Sequence, residues 1–225
     1  MNYLITAGPT REFIDAIRFI SNVSSGRMGY ALAEAAVAAG HRVVLVSGPV
    51  HLEPPAGAEL VPVVSALEMR EAVLNRAGES DIIVMCAAVA DYRPAARVAG
   101  KMKKGPDSIT LELVKNPDIL AELGTMKRRN EFSHAVCVVG FALEAADPLR
   151  NARSKLESKN ADMIVLNLPP ALGGETSDVQ VISRDGSIMR IGPAPKKAIA
   201  AELIRMFDAA MAGNQNPEFR IQNSE

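Results

Sequence analysis

Two stretches of the chain gather the side chains from which an anion site can be built. The first reads Gly8-Pro9-Thr10-Arg11-Glu12 and continues through Asp15, Arg18 and Asn22 to Ser24-Ser25-Gly26-Arg27-Met28-Gly29. Its small residues let a backbone come close to a phosphate, its hydroxyls and amides sit where a helix start donates hydrogen bonds, and Arg18 or Arg27 can neutralise charge. The second stretch holds Asp91 and then Lys101-Met102-Lys103-Lys104, three lysines within four positions. Such a run suits a triphosphate or another multiply charged anion, although most lysine clusters are solvated faces. Asp91 has the chemistry to bind a sugar hydroxyl, a base edge or a magnesium-bound water.

Farther along, Lys115-Asn116-Pro117-Asp118-Ile119 reads as a helix entrance, with Asn116 as the cap and Pro117 in the first turn. Gly140-Phe141-Ala142-Leu143-Glu144 closes an apolar run, where an exposed Phe141 would wall off a planar group and a core Phe141 would only pack. Lys155 and Lys159, four apart, share a helix face and repel each other unless an anion lies between them. The plainest alternative for the first stretch is that Ser24, Ser25 and Gly26 cap a helix and Gly29 packs it on a sheet. Neither a GxGxxG triplet nor a P-loop is present, and no Ser-His-Asp or Cys-His set is evident.

These residues need a frame that holds them at one edge. Short runs rich in β-branched and aliphatic residues, at Tyr3–Ala7, Arg42–Ser47, Leu60–Val64, Asp81–Cys86, Ala135–Phe141 and Met163–Leu166, read as strands. They alternate with helix-like stretches at Tyr30–Ala39, Ala66–Ala77, Pro117–Arg128, Pro148–Lys159 and Lys196–Met211, with Asp147 a candidate cap. Strands apolar throughout, alternating with helices, predict an α/β fold: a doubly wound, Rossmann-like, mostly parallel sheet covered on both faces. Ligands then bind at the carboxyl ends of the strands. Ile109–Val114 and the pair Val179–Ser183 and Ser187–Ile191, joined by Arg184-Asp185-Gly186, read as a small antiparallel excursion suited to dimerisation. Residues 1–212 read as a single domain and 213–225 as a frayed polar tail.

Composition narrows the class of partner. The 225 residues carry 25 Lys+Arg against 26 Asp+Glu, a formal charge of −1, so no global basic field draws the chain to nucleic acid or anionic lipid. Any anion site must be local. Cys86 and Cys137 lie in apolar runs, form no CxxC pair and make no zinc spacing with three scattered histidines, which fits a reducing cytoplasm and no structural metal. No apolar stretch reaches the roughly 18 residues of a membrane helix, and the first residues lack a signal peptide's pattern.

Taken together, GPTRE at 8–12, RFISNVSSGRMG at 18–29, AAVADYRP at 87–94, the KxKK pattern at 101–104, KNPDI at 115–119 and GFALE at 140–144 occur in the order seen in phosphopantothenoylcysteine synthetases. The resemblance runs from the first strand to about residue 212. It implies a ligase of coenzyme A biosynthesis that activates the carboxylate of 4′-phosphopantothenate with a nucleoside triphosphate, then joins it to L-cysteine. The motifs look bacterial, which implies CTP and an acyl-cytidylate rather than ATP, with Mg²⁺ carried by the nucleotide phosphates and no protein ligand for it. By position, the resemblance puts Asn22 on the activated acyl group, Arg18 in phosphopantothenate handling, and Ala87 and Ala88 against the same intermediate. It gives Asp91, Lys101, Asn116, Pro117, Asp118, Ile119, Phe141, Lys155 and Lys159 to the nucleotide, beside the phosphate-approaching Gly8, Ser24, Ser25 and Gly26. Asn22, Lys101 and Arg18 are then the catalytic set. Members are homodimers.

Many bacterial members lie behind a flavin-dependent decarboxylase, and the length of this chain predicts a synthetase without flavin that depends on a separate phosphopantothenoylcysteine decarboxylase. One stretch departs: where members carry F-x-x-D-x-N, this chain reads Leu172-Gly173-Gly174-Glu175-Thr176-Ser177-Asp178-Val179. Two other classes compete with the ligase. A short NAD(P)-dependent reductase lacks its glycine fingerprint and its Tyr-x-x-x-Lys pair here, because Ala7, Glu34 and Ala96 stand four beyond Tyr3, Tyr30 and Tyr92. A non-catalytic nucleotide-binding module would have no need of the acyl-contacting Asn22.

Overall fold

The computed structural model describes residues 1–103, 108–144, 146–167 and 175–215, without the side chains of 214 and 215. In chain order the elements are β1 (Asn2–Ala7), β2 (Arg11–Phe13), β3 (Phe19–Ser21), α1 (Arg27–Ala38), β4 (Arg42–Ser47), β5 (Ala58–Pro62), α2 (Ala66–Ala77), β6 (Ile82–Met85) and β7 (Tyr92–Pro94). They continue as β8 (Leu113–Lys115), α3 (Ile119–Arg128), β9 (Cys137–Leu143), α4 (Pro148–Ser158), β10 (Met163–Asn167), β11 (Thr176–Ser183), β12 (Ile188–Pro195) and α5 (Lys196–Gln215).

The main sheet has the order β12-β11-β10-β9-β6-β1-β4-β5, parallel from β5 through β10 and antiparallel beyond it. Its parallel part is the doubly wound order expected from the apolar strands. Alternate residues of one strand serve opposite cores. Tyr3 and Ile5 of β1 face α1 and α5, whereas Leu4 faces α2 and α3. On β10, Val165 joins the first core and Ile164 and Leu166 pack under α4. Both faces being covered explains why these strands carry almost no polar residue.

Several boundaries move for physical reasons. The Val179–Ile191 hairpin is longer than its sequence signal and belongs to the main sheet, because β11 buries Val179 and Val181 on one face and Ile182 on the other. Of Ile109–Val114, only the last two residues enter a strand. That strand, β8, pairs with β7 apart from the main sheet, and Pro94, which has no N–H to donate, ends the ladder. The third helix begins at Ile119 rather than Pro117, because Asp118 takes the cap by accepting the Ala121 N–H. Asp147 does occupy the position before α4, left-handed at φ 45° and without a side-chain capping bond. Helix α5 runs on to Gln215, three residues into the stretch expected to fray; residues 216–225 lie outside the described residues. The β2–β3 hairpin, with Arg11 paired to Ser21 and Phe13 to Phe19, has no clear sequence signal.

Gly29 sets how closely α1 approaches the sheet. A Cβ there would stand 2.6 Å from the Ala7 Cβ and 3.0 Å from the Thr6 carbonyl oxygen. Gly29→Ala gains about 1 kcal/mol of helix propensity but forces α1 off β1, an overpacking cost of about 1–3 kcal/mol or more where backbone is struck. We expect a net loss of stability in chemical denaturation with the slope m unchanged; an equal or higher midpoint would refute the close-contact role.

Candidate functional site

The chain reverses direction across the sheet between β1 and β6, and a cleft of about 510 Å³ opens at their carboxyl ends. The two exits are laced together. Thr6 Oγ1 accepts the Cys86 and Ala87 N–H groups at 3.0 and 3.1 Å, Ala88 N–H donates to the Gly8 carbonyl at 2.9 Å, and Ala90 N–H donates to Thr10 Oγ1 at 3.0 Å. Asn22 is drawn onto the same turn, its Nδ2 donating to the carbonyls of Ala88 and Val89 at 3.2 Å. Gly8 and Gly26 both have positive φ and both back onto Val50, whose Cγ1 would lie 2.9 and 2.8 Å from an added Cβ. Only glycine lets the β1 exit and the α1 start pass so close to one another.

Of the candidates read from the sequence, Gly8, Asn22, Ser24, Ser25, Gly26, Ala87, Ala88, Phe141 and Lys155 line this cleft. Phe141 sits half-buried at the end of β9, beside the cleft rather than sealed in the core. Gly26, not a serine, takes the N-cap of α1 with no side-chain capping bond, so Ser24 and Ser25 are not explained as caps. Gly29 lines the cleft as well as packing α1.

The remaining candidates lie outside the cleft wall. Asn116 is buried, donating to the Ala90 carbonyl at 2.8 Å and accepting from Arg93, so it buttresses the 87–91 turn instead of capping a helix. Ile119 is a core residue packed with Leu123 and Ile83, and Pro117 precedes the Asp118 cap. Asp118 pairs with Lys159 at 2.7 Å. Burial pushes that carboxyl up, but the Lys159 ammonium and the Ala121 N–H outweigh it and hold the group below its ordinary range. Asp91 is exposed, its carbonyl accepting the Asn116 N–H. Lys155, by contrast part of the cleft wall, stands 3.9 Å from Glu144.

Arg18 and Lys101 are neighbours at a different place. Asp15 accepts the Ile17 and Arg18 N–H groups and the Arg18 guanidinium, all at 2.7 Å, and the Met102 N–H at 3.1 Å. The Ala16 N–H reaches the Gly100 carbonyl, so the β2–β3 turn and the lysine-bearing loop form one unit, with Lys101 and Lys103 exposed on it. Lys104, and residues 172–174 of the departing stretch, lie outside the described residues.

Sequence reasoning missed Cys86, Asn167 and Lys196 in the cleft wall. Asn167 ends β10, so a strand-end rule would have found it; its Oδ1 accepts the Ser177 hydroxyl. Nothing local marks Lys196, which comes to the cleft only because the β11–β12 hairpin delivers α5 there. Burial, then the nearby Arg27 charge, lowers the Lys196 ammonium from its ordinary range, and burial pushes the Cys86 thiol up to about 12. Arg27, Lys155 and Lys196 line the cleft and no carboxylate is among its described lining residues, the local cation excess that a near-neutral chain requires of an anion site. No group of three or more His, Cys, Asp or Glu side chains able to hold a metal occurs among the described residues, and no described helix is long and apolar enough to cross a membrane.

Sheet order and cleft define an α/β protein with an open cleft at its switch point, whose described wall carries cations and no carboxylate. The chain belongs to the DNA/pantothenate metabolism flavoprotein C-terminal domain family, whose model matches residues 1–210. It is 46% identical over 211 residues to the coenzyme A biosynthesis bifunctional protein CoaBC of Bacillus subtilis, covering 92% of this chain and 50% of that one. It is 51% identical over 166 residues to the protein of the same name from Vibrio cholerae, covering 73% of this chain and 40% of that one. The crystal structure of a C-terminal domain of CoaBC superposes with a TM-score of 0.80 at 39% identity, covering 94% of this chain and 95% of that one. The chain spans about half the length of the first of these curated relatives and less of the second.

Asp15 offers a pH test of the loop unit. The backbone N–H of Arg18, then that of Ile17, holds its carboxyl at about 2 against an ordinary 3.8. A depressed carboxyl stabilises the fold above its unfolded value and loses that stabilisation as pH falls through the folded one. Asp15→Asn should therefore lower thermal stability by a constant amount above about pH 5, with the gap from the parent closing between pH 4 and pH 2. A gap independent of pH across that window would exclude the ionised carboxylate as the anchor.

Proposed function

We propose that this chain is a phosphopantothenate–cysteine ligase of coenzyme A biosynthesis, acting in the cytoplasm. The observation that carries the reading is a switch-point cleft lined by Arg27, Lys155 and Lys196, without a described carboxylate, with Asn22 fastened to its rim. Membership of the family and the likeness to the named CoaBC proteins support it.

In this reading a nucleoside triphosphate, CTP in preference to ATP, lies between Phe141 and Lys155 on one side and Ser24, Ser25 and Gly26 on the other. A carboxylate oxygen of 4′-phosphopantothenate attacks the α-phosphorus, the bond to the β-phosphate breaks, and pyrophosphate leaves. The amine of L-cysteine then attacks the acyl carbon, loses a proton, and expels the nucleoside monophosphate. Each step brings anions together or accumulates charge on an oxygen, so cations held in a fixed cleft lower the barrier. Asn22 is a hydrogen-bonding amide, not a nucleophile, and its position against Ala88 suits an acyl oxygen better than a phosphate. Mg²⁺ arrives on the nucleotide phosphates, because the cleft's described wall offers it no carboxylate. No flavin is needed for either step.

We propose further that a second copy of the chain covers the joined β2–β3 and β7–β8 hairpins, where Ile17, Phe19, Tyr92, Val98 and Leu113 are exposed. Exposed apolar side chains on such a small antiparallel unit suit self-complementary two-fold pairing. Arg18 and Lys101 then sit at the junction between copies rather than over their own cleft.

The purified protein should release pyrophosphate from CTP only when phosphopantothenate is present and form amide product only when cysteine is added. No turnover with either CTP or ATP would sink the ligase reading. Asn22→Asp should lose acyl transfer while keeping CTP affinity, and Lys101→Gln should lower kcat well beyond the effect of a rim charge; near-normal rates would remove them from the catalytic set. Light scattering should give a dimer for the parent and a monomer for Ile17→Glu, and a parent monomer would dismiss the interface.

A further inference from the structure

Asn22 carries one amide, with two hydrogens to donate and one oxygen to accept. Both hydrogens are spent on the 87–91 turn, where Nδ2 donates to the Ala88 and Val89 carbonyls at 3.2 Å each. Turned about, the amide would set Oδ1 against two carbonyl oxygens, acceptor against acceptor, so its orientation follows from its partners. The turn is held in place from other sides. The Ala88 N–H donates to the Gly8 carbonyl, and the Ala90 N–H donates to Thr10 Oγ1. The chain just before Asn22 is held as well, the Ser21 hydroxyl donating to the Thr10 carbonyl at 2.7 Å.

What Asn22 has left to offer a ligand is therefore an oxygen. The residue is exposed in the cleft wall, and neither of its described side-chain hydrogen bonds uses Oδ1. An amide that donates through its nitrogen is polarised, which makes its oxygen the better acceptor. The other asparagine of the wall differs, because Asn167 Oδ1 already accepts the Ser177 hydroxyl. Taken alone the Asn22 amide suits an acyl oxygen; bonded as it is, it suits a donor. Among the described residues of this wall there is no carboxylate and no histidine, and Arg27, Lys155 and Lys196 repel a nitrogen that is gaining positive charge.

We propose that Asn22 Oδ1 accepts an N–H of the L-cysteine amine and holds the nitrogen lone pair toward the acyl carbon. In the ligase reading, on which this role rests, Asn22 then serves the nucleophile and not the acyl oxygen. As the C–N bond forms, the nitrogen turns positive and its N–H becomes a stronger donor, so the contact tightens in the transition state. The amide oxygen is too weak a base to keep the proton, which passes to water in the open cleft. The C–O bond to the nucleotide breaks, and its electron pair leaves with the nucleoside monophosphate.

The test separates nucleophiles by whether they carry a hydrogen. The whole chain is supplied with nucleotide and phosphopantothenate without cysteine, and the acyl-nucleotide it forms is chased with L-cysteine or with azide. Azide attacks the same carbon but has no hydrogen to donate. Asn22→Ala should cut the cysteine rate about 10- to 100-fold, the range of one hydrogen bond to a charged centre, and leave the azide rate unchanged. Asn22→Gln keeps an NH2 for the two carbonyls but displaces the oxygen, and it should show the same split. Equal slowing of both nucleophiles overturns the proposal, since a donor to the acyl oxygen, or a turn loosened by the lost bonds, acts on both alike. A cysteine rate unchanged in Asn22→Ala overturns it too. In either of those results the ligase reading stands on the acyl-nucleotide formed, whereas a parent that forms none from CTP or ATP ends both.

Discussion

The exits of β1 and β6 must diverge to feed helices on different parts of the sheet, yet they remain hydrogen-bonded for several residues past the last strand pairing. Thr6, Gly8 and Thr10 on one side meet Cys86, Ala87, Ala88 and Ala90 on the other. Each bond satisfies a backbone group that would otherwise be left without a partner in a poorly hydrated place, where an orphaned donor costs roughly 1–3 kcal/mol. The lacing fixes the floor of the cleft, and most of the site depends on it. Asn22 is positioned by the carbonyls of Ala88 and Val89, and Asn116 supports the same turn from behind through the Ala90 carbonyl.

Charge is distributed to suit that floor. Many cations away from the cleft stand against a carboxylate: Arg70 against Glu122, Arg190 against Asp178 and Lys197 against Glu34. Exposed pairs of this kind add about 0–1 kcal/mol each to stability. Their larger consequence is electrostatic: they offset charge over much of the surface, whereas Arg27, Lys155 and Lys196 line a cleft whose described wall holds no carboxylate.

The fold was readable because its strands are apolar on both faces. Arg42–Ser47 and Ala66–Ala77 needed no tertiary information, since a buried strand and a helix capped by Ser65 carry their own signals. Local signals fail where a residue's partner is remote. Asn116 has the right type and position for a cap, yet Ala90 and Arg93 compete for its amide and Asp118 takes the cap instead. Lys196 looks like an ordinary helix start, and only the β11–β12 hairpin, added to the sheet edge by burial of Val179 and Ile182, brings it to the cleft. Motif density in the first loop was informative for the opposite reason, because Gly8, Asn22 and Gly26 converge through contacts within or beside that loop.

The structure also separates two lysines that look equivalent in sequence. Lys155 and Lys159 share a helical spacing, but their carboxylate neighbours stand at 3.9 and 2.7 Å. A ligand anion approaching Lys159 must displace Asp118, whose carboxylate is simultaneously bonded to the Ala121 N–H and held ionised by both lysines. Approaching Lys155, it competes only with the looser Glu144, and that ammonium already lines the cleft. Coulomb attraction falls with distance, so the weaker existing pair leaves more of its field for a ligand. In the ligase reading, Lys155 rather than Lys159 is the lysine left to face the anion. Lys159, at the end of α4, instead pairs with Asp118 at the start of α3 and ties the two helices together.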